Sequence, residues 1–263
     1  MKKAMSNAIR VGLLALTVLW VWPADAAHVI LTDGRRIEGR DIRARANGDV
    51  ILSTDRGDLT FARGQYREAW ASRPEELNQA RRQMDAGRYD QVISTLDPIV
   101  SRYRHLSWDI EAMGMIAAAH NAKGSHQDAL ATYERLFQAA PRRKDDRDLK
   151  WGFFEAKLGA ERLDALEGEL DKLITEGERA DAARAQVMRG DVQRQRGRTE
   201  AALLDYLRTT ILFQAVTDVQ AEALYKAGVA LQEMRDQRAR DMFRKVVREH
   251  ADSPYAERAQ ARL

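Results

Sequence analysis

Apolar positions along the chain follow two different periods. From His28 to Trp70, short apolar runs alternate with polar neighbours and are broken at Asp33-Gly34, Asn47-Gly48 and Arg56-Gly57. Period-two alternation marks strands with one buried face, and glycine pairs of this kind supply the positive φ angles of tight hairpin turns. The runs HVILT, RRIEGRDIRARA, DVILST and DLTFA, with QYREAW as a fifth, predict a small antiparallel β module over residues 27–72. Val29 with Leu31, and Leu59 with Phe61, are its expected buried positions. So short a module buries little surface, and it is expected to lean on the remainder of the chain.

After Trp70 the apolar residues recur at helical spacing. Ser72-Arg73-Pro74-Glu75 opens this part with a Ser followed three places later by Glu, and Pro in the first turn. A small residue then precedes a turn glycine by seven places: Ala80 and Gly87, Ala117 and Gly124, Gly152 and Gly159, Gly190 and Gly197. A fifth copy has Gly228 and Arg235. The turns lie 37, 35, 38 and 38 residues apart. Ala129 then Tyr133, Ala202 then Tyr206, and Ala239 then Phe243 come after their turns. Small residues let helix backbones cross closely and large ones fill the gaps, so each copy predicts two antiparallel helices.

This pattern resembles the tetratricopeptide repeat, best in AKGSHQDALATYERLFQAAP (122–141), QRGRTEAALLDYLRTT (195–210) and AGVALQEMRDQRARDMFRKVVREHADSPYAERA (227–259). It is similar to the C-terminal repeats of periplasmic envelope proteins such as the Tol-Pal-associated cell-division coordinator. The β runs resemble an SH3-like or Sm-like barrel. The third unit departs from the repeat, with Asp164 and Gly168 at its small and aromatic positions, and the first has Val92 and Pro98. The resemblance implies a mainly α fold, a helix-pair solenoid of four or five units over residues 73–263 behind the β module. It further implies a concave face lined by each unit's first helix, where Asn121, Asp191, Arg194, Tyr225 and Gln232 would meet a peptide or protein partner. In REHADSPYAERA, Ser253 can cap a final helix and Pro254 fits its first turn, so residues 255–263 are expected to cap the array.

The first 26 residues have a composition of their own. Lys2, Lys3 and Arg10 precede an apolar run from Val11 to Trp22, and Ala24-Asp25-Ala26 comes next. These are the three parts of a secretory signal peptide, and the run falls short of the roughly 20 apolar residues of a membrane span. Cleavage after Ala26 is expected, giving a periplasmic or otherwise exported protein with no stable membrane span; a retained anchor is the rival reading. There is no cysteine, hence no lipidated junction and no disulfide.

Charge and chemistry narrow the function. Lys and Arg number 43 against 40 Asp and Glu, an interspersed balance unlike the clustered basic excess of nucleic-acid binders. Arg35, Arg36, Arg40, Arg43 and Arg45 read as a solvated strand edge. The five histidines do not share a helix face, and no zinc, calcium, phosphate-loop or nucleophile-elbow motif accompanies them. No metal, cofactor or catalytic residue is predicted. The expected function is that of an exported, non-enzymatic adaptor for other envelope proteins. The alternative has the β module binding cell-wall polymer or another surface ligand, with the helices as spacer.

Overall fold

The computed structural model describes residues 27–263, and the expected signal peptide lies outside the described residues. The chain divides into two compact units. One runs through Glu75 and also takes in Ser101–Asp109; the other comprises Glu76–Val100 and Ile110–Leu263.

The first unit holds six strands in two antiparallel sheets. Strand β1 (His28–Leu31) lies between β2 (Arg36–Glu38) and β6 (Tyr66–Trp70), with Val29 opposite Ile37 and Ala69. In the second sheet β4 (Val50–Thr54) lies between β3 (Asp41–Ala44) and β5 (Gly57–Phe61), with Leu52 opposite Ile42 and Leu59. The run expected as one strand, RRIEGRDIRARA, passes from one sheet to the other at Gly39. Its N–H bonds to the Ala27 carbonyl and that of Arg40 to the Ser53 carbonyl. A Cβ at Gly39 would stand 2.6 Å from the Ser53 carbonyl oxygen, so only glycine permits this crossing.

Val29, Leu31, Val50 and Leu52 are buried. Leu59 and Phe61 are not the buried pair expected of them: Leu59 is 42% exposed and Phe61 half-buried. Strand β5 is an edge strand, and the core side of this small unit is filled by β4 and its other neighbours. The arginines at the edges are paired, Arg35 with Asp33, Arg36 with Glu38, Arg40 with Asp55 and Arg43 with Asp58. The segment 101–109 completes the unit. Ser107 Oγ donates to the Ala69 carbonyl, Trp108 Nε1 to the Ala71 carbonyl at 2.8 Å, and the Trp108 ring meets Trp70 edge-on at 4.8 Å.

The second unit is a solenoid of helix pairs. The pairs are α1 (Glu75–Asp85) with α2 (Tyr89–Arg102), α3 (Trp108–Ala122) with α4 (His126–Ala139), and α5 (Arg147–Gly159) with α6 (Leu163–Glu176). They continue with α7 (Arg179–Gln195) and α8 (Thr199–Leu212), then α9 (Gln220–Glu233) and α10 (Ala239–Glu249), and α11 (Pro254–Gln260) closes the series. The chain turns with a left-handed residue after each first helix: Gly87, Gly124, Glu161, Gly197 and Arg235. No described helix is long and apolar enough to cross a membrane.

The third of these turns differs from the one expected. Gly159 still belongs to α5, and Glu161, at φ +58°, makes the turn. Gly159 is needed for packing instead, since a Cβ there would stand 2.1 Å from the His126 ring. Moving the register by two residues places Leu166 and Leu170, both fully buried, where the other units carry a small residue and an aromatic one. Phe154 then takes the small position of the first helix. The third unit fills its interior from the opposite helix, and its conflict with the repeat at Asp164 and Gly168 disappears.

The core shares this repetition, as a series of neighbouring clusters. One centres on Tyr133 and Leu136, with Ala117 and Ala156. The next joins Trp151, Phe154, Leu166 and Leu170 to Ala185 and Met188, and the last holds Tyr206 and Phe243. Each cluster draws on adjoining helices, as expected where every repeat is stabilised by its neighbours. At the far end Ser253 Oγ accepts from Tyr255 N and Pro254 opens α11, as expected of that stretch.

Candidate binding groove

The first helices of the second, third and fourth pairs, α3, α5 and α7, enclose an open cavity of about 580 Å³. Its floor is Trp151, only 1% exposed, packed edge-on against Phe154 at 5.5 Å. Arg184 reaches across from α7. Its guanidinium lies 4.4 Å from the Trp151 ring centre and bonds to Glu155 Oε1 at 3.1 Å. Trp151 is thus a core residue whose remaining face is covered by a cation, an arrangement worth about 0.5–2 kcal/mol.

Asp181 anchors the α5–α7 side. Its carboxylate accepts from Arg147 Nε, Lys150 Nζ and Trp151 Nε1. Burial alone would raise its pKa, but these donors outweigh burial and hold the carboxyl below its ordinary value. On the α3 side, Asn121 Nδ2 donates to the Gly152 carbonyl at 2.7 Å, which ties α3 to α5. Tyr133, from α4, enters the same cavity beside Gly152. A Cβ at Gly152 would fall 2.0 Å from the Tyr133 hydroxyl, so glycine there is what admits the ring.

Of the five residues expected on the concave face, Asn121 lines this cavity. The other four lie further along the array and have partners within the chain. Asp191 accepts from the Tyr206 hydroxyl at 2.9 Å and from Lys226 Nζ at 2.6 Å. Lys226 also meets Glu222 at 2.5 Å; burial opposes its charge, but the two carboxylates prevail and hold its pKa above the ordinary value. Arg194 pairs with Glu233 at 2.9 Å. Tyr225 and Gln232 are joined by Arg262, which lies just beyond α11. Its Nε donates to the Tyr225 hydroxyl at 3.0 Å and its Nη1 to Gln232 Oε1 at 2.6 Å.

The lining residues Tyr133, Asp148, Glu155 and Arg184 were not among those expected from sequence. Three of them stand on first helices, at positions the repeat register assigns to the concave side, so the register could have found them. Tyr133 could not be found that way, because it reaches the groove from a second helix through the gap at Gly152.

The architecture is that of a helix-pair repeat protein. Residues 222–253, spanning most of α9 and α10, match the family model described as tetratricopeptide repeat, and the fifth unit is such a repeat. Among solved structures the chain is similar to MamA 41-end from Desulfovibrio magneticus RS-1, at 14% identity over 68% of this chain and 95% of that one, with a TM-score of 0.49. It is also similar to YrrB, described as a TPR protein with an unusual peptide-binding site, at 17% identity over 71% and 90% of the two chains, with a TM-score of 0.44. No curated protein matches the chain by sequence.

Proposed function

We propose that this chain is an exported, non-enzymatic adaptor whose concave groove receives a segment of another protein of the bacterial envelope. The observation that carries the reading is the open cavity between α3, α5 and α7, on the face made by three consecutive first helices. In such an array the small and large positions are committed to stacking, and the first-helix faces are left for recognition. A cavity lined by polar and charged groups such as Asn121, Tyr133, Asp148 and Glu155 suits a protein segment, whose backbone and side chains can bond to them. Export rests on the pattern of residues 1–26: a basic head, an apolar run and Ala24-Asp25-Ala26.

The test is affinity capture from envelope extract with the wild type and with Ala118→Trp, which places an indole in the cavity from α3. The expected outcome is a partner captured by the wild type and lost by the variant. Equal capture by both would remove the groove assignment. N-terminal sequencing of the protein from a periplasmic fraction checks export, with Ala27 as the expected first residue.

A further inference from the structure

The array contains one arrangement twice, related by a shift of 73 or 74 residues. Gly124 and Gly197, the left-handed residues after α3 and α7, are 73 apart; Glu161 and Arg235, after α5 and α9, are 74 apart. In the later copy an ammonium fills the space between the two first helices. Lys226 Nζ stands 2.6 Å from Asp191 and 2.5 Å from Glu222, and the Tyr206 hydroxyl donates to Asp191.

The shift carries these residues onto the lining of the open cavity. Tyr206 corresponds to Tyr133 and Glu222 to Asp148, so the hydroxyl and one carboxylate are kept. Asp191 corresponds to Ala118 and Lys226 to Gly152, so the ammonium and its second carboxylate are missing. What the later copy fills with its own lysine, the earlier copy leaves open.

Two groups on that lining keep polar atoms open to a ligand. Tyr133 is only 2% exposed, yet its hydroxyl makes no hydrogen bond among the described residues. Asp148 has no ion pair among the described residues, whereas Glu155 is already bonded to Arg184. The Tyr133 hydroxyl opens on the cavity, and a ligand donor can bond to it there in place of water.

We propose that this cavity is a socket for a lysine ammonium carried by the bound partner segment, held between the Asp148 carboxylate and the Tyr133 hydroxyl. The proposal rests on the groove being the partner-binding face. Lysine fits because the filled copy holds an ammonium on the corresponding acid, Glu222, and on Asp191, the carboxylate that the corresponding tyrosine also bonds. Burial raises the Tyr133 pKa, aided by Glu155, so the phenol stays neutral and can accept from an N–H donor. Neutralising the lysine by acetylation would remove the charge that Asp148 attracts.

The test is titration of the full chain, monitored by amide NMR shifts, with the blocked peptide acetyl-Ala-Lys-Ala-amide. The Nε-acetylated form of the same peptide and acetyl-Ala-Glu-Ala-amide are the controls. Saturable shifts at Asn121 and Gly152 are expected with the lysine peptide alone. Asp148→Asn should weaken its binding about tenfold, as loss of a charge-assisted hydrogen bond does, and Tyr133→Phe should weaken it less. Asp148 is exposed on the first turn of α5, so its variant keeps the fold, which its unchanged remaining shifts will show. Equal binding of the acetylated peptide, unchanged binding to Asp148→Asn, or no saturable shift would each overturn the socket. If Ala118→Trp abolishes partner capture while the lysine peptide fails, the socket is wrong and the groove stands. If capture survives Ala118→Trp, both are wrong.

Discussion

Gly190 lies directly beneath Tyr206: a Cβ on the glycine would stand 2.4 Å from Cε1 of the ring. The same relationship joins Gly228 to Phe243, at 2.6 Å. Both rings are buried and cannot retreat. Replacing a helical glycine by alanine ordinarily stabilises by about 0.5–1 kcal/mol, but overpacking a filled core costs about 1–3 kcal/mol. Gly190→Ala and Gly228→Ala should therefore lower stability in chemical denaturation. Gly168→Ala is the counter-case, since a Cβ there meets nothing within 4 Å on an exposed stretch of α6. It should raise stability by about 0.5–1 kcal/mol. Destabilisation of all three alike would show that contact with the ring is not the cause.

The turns give a second contrast. Glu161 and Arg235 take left-handed conformations, at φ +58° and +59°, where their neighbours along the array use Gly124 and Gly197. A side chain there costs about 1–2 kcal/mol relative to the right-handed region. Glu161→Gly and Arg235→Gly should each raise the melting temperature, less any lost side-chain contact, and Gly124→Ala should lower it. Unchanged melting of both glycine variants would mean that the unfolded chain's extra freedom offsets the relief.

These turns also show where the sequence was readable. Gly34, Gly48 and Gly57 mark hairpins by composition alone, and the small residues at 117, 190 and 228 mark crossings because their spacing recurs. Glu161 carries no such signal. A glutamate in a left-handed turn looks like any other, while Gly159 two places earlier mimics the turn and is in fact a packing site. The groove was legible to the same degree. Asn121 comes from the register, but Tyr133 and Asp148 matter because they line a cavity whose counterpart 73 or 74 places on is filled, which no single position in a sequence discloses. Asp191, Arg194, Tyr225 and Gln232 were expected on the concave face; the ion pairs and hydrogen bonds they also make within the chain depend on residues 15 to 39 places away.

Asp181 should make stability depend on pH. Its folded pKa is depressed, so the unfolded chain takes up the proton first as acid is added. The contribution is therefore present above the ordinary value of 3.8 and is lost as pH falls through the lower folded value. Asp181→Asn should cost about 1–3 kcal/mol near neutrality through its lost charge-assisted bonds to Lys150 and Arg147. The difference between wild type and variant should shrink as the pH is taken below 4, roughly one carboxylate range. Parallel pH profiles for the two proteins would place the acid sensitivity elsewhere.

Arg262 offers the last test, because it holds the end of the chain to the ninth helix. Its guanidinium lies 5.6 Å from the Tyr225 ring centre and 5.9 Å from that of Phe243, besides its bonds to Tyr225 and Gln232. These contacts are exposed, so Arg262→Ala should cost only about 0.5–1 kcal/mol in global stability. Its local effect should be larger. Helix α11 has seven residues and buries only Ala256 and Ala259, too little to hold it independently. Hydrogen exchange in α11 should accelerate in the variant, while α7 and α8 keep wild-type protection. Tyr225, half-buried beside Arg262, would then become more exposed. If exchange in α11 is unchanged, the tilted packing of Tyr255 against Tyr225 at 5.5 Å and the two buried alanines suffice to seat the helix, and Arg262 is surface decoration.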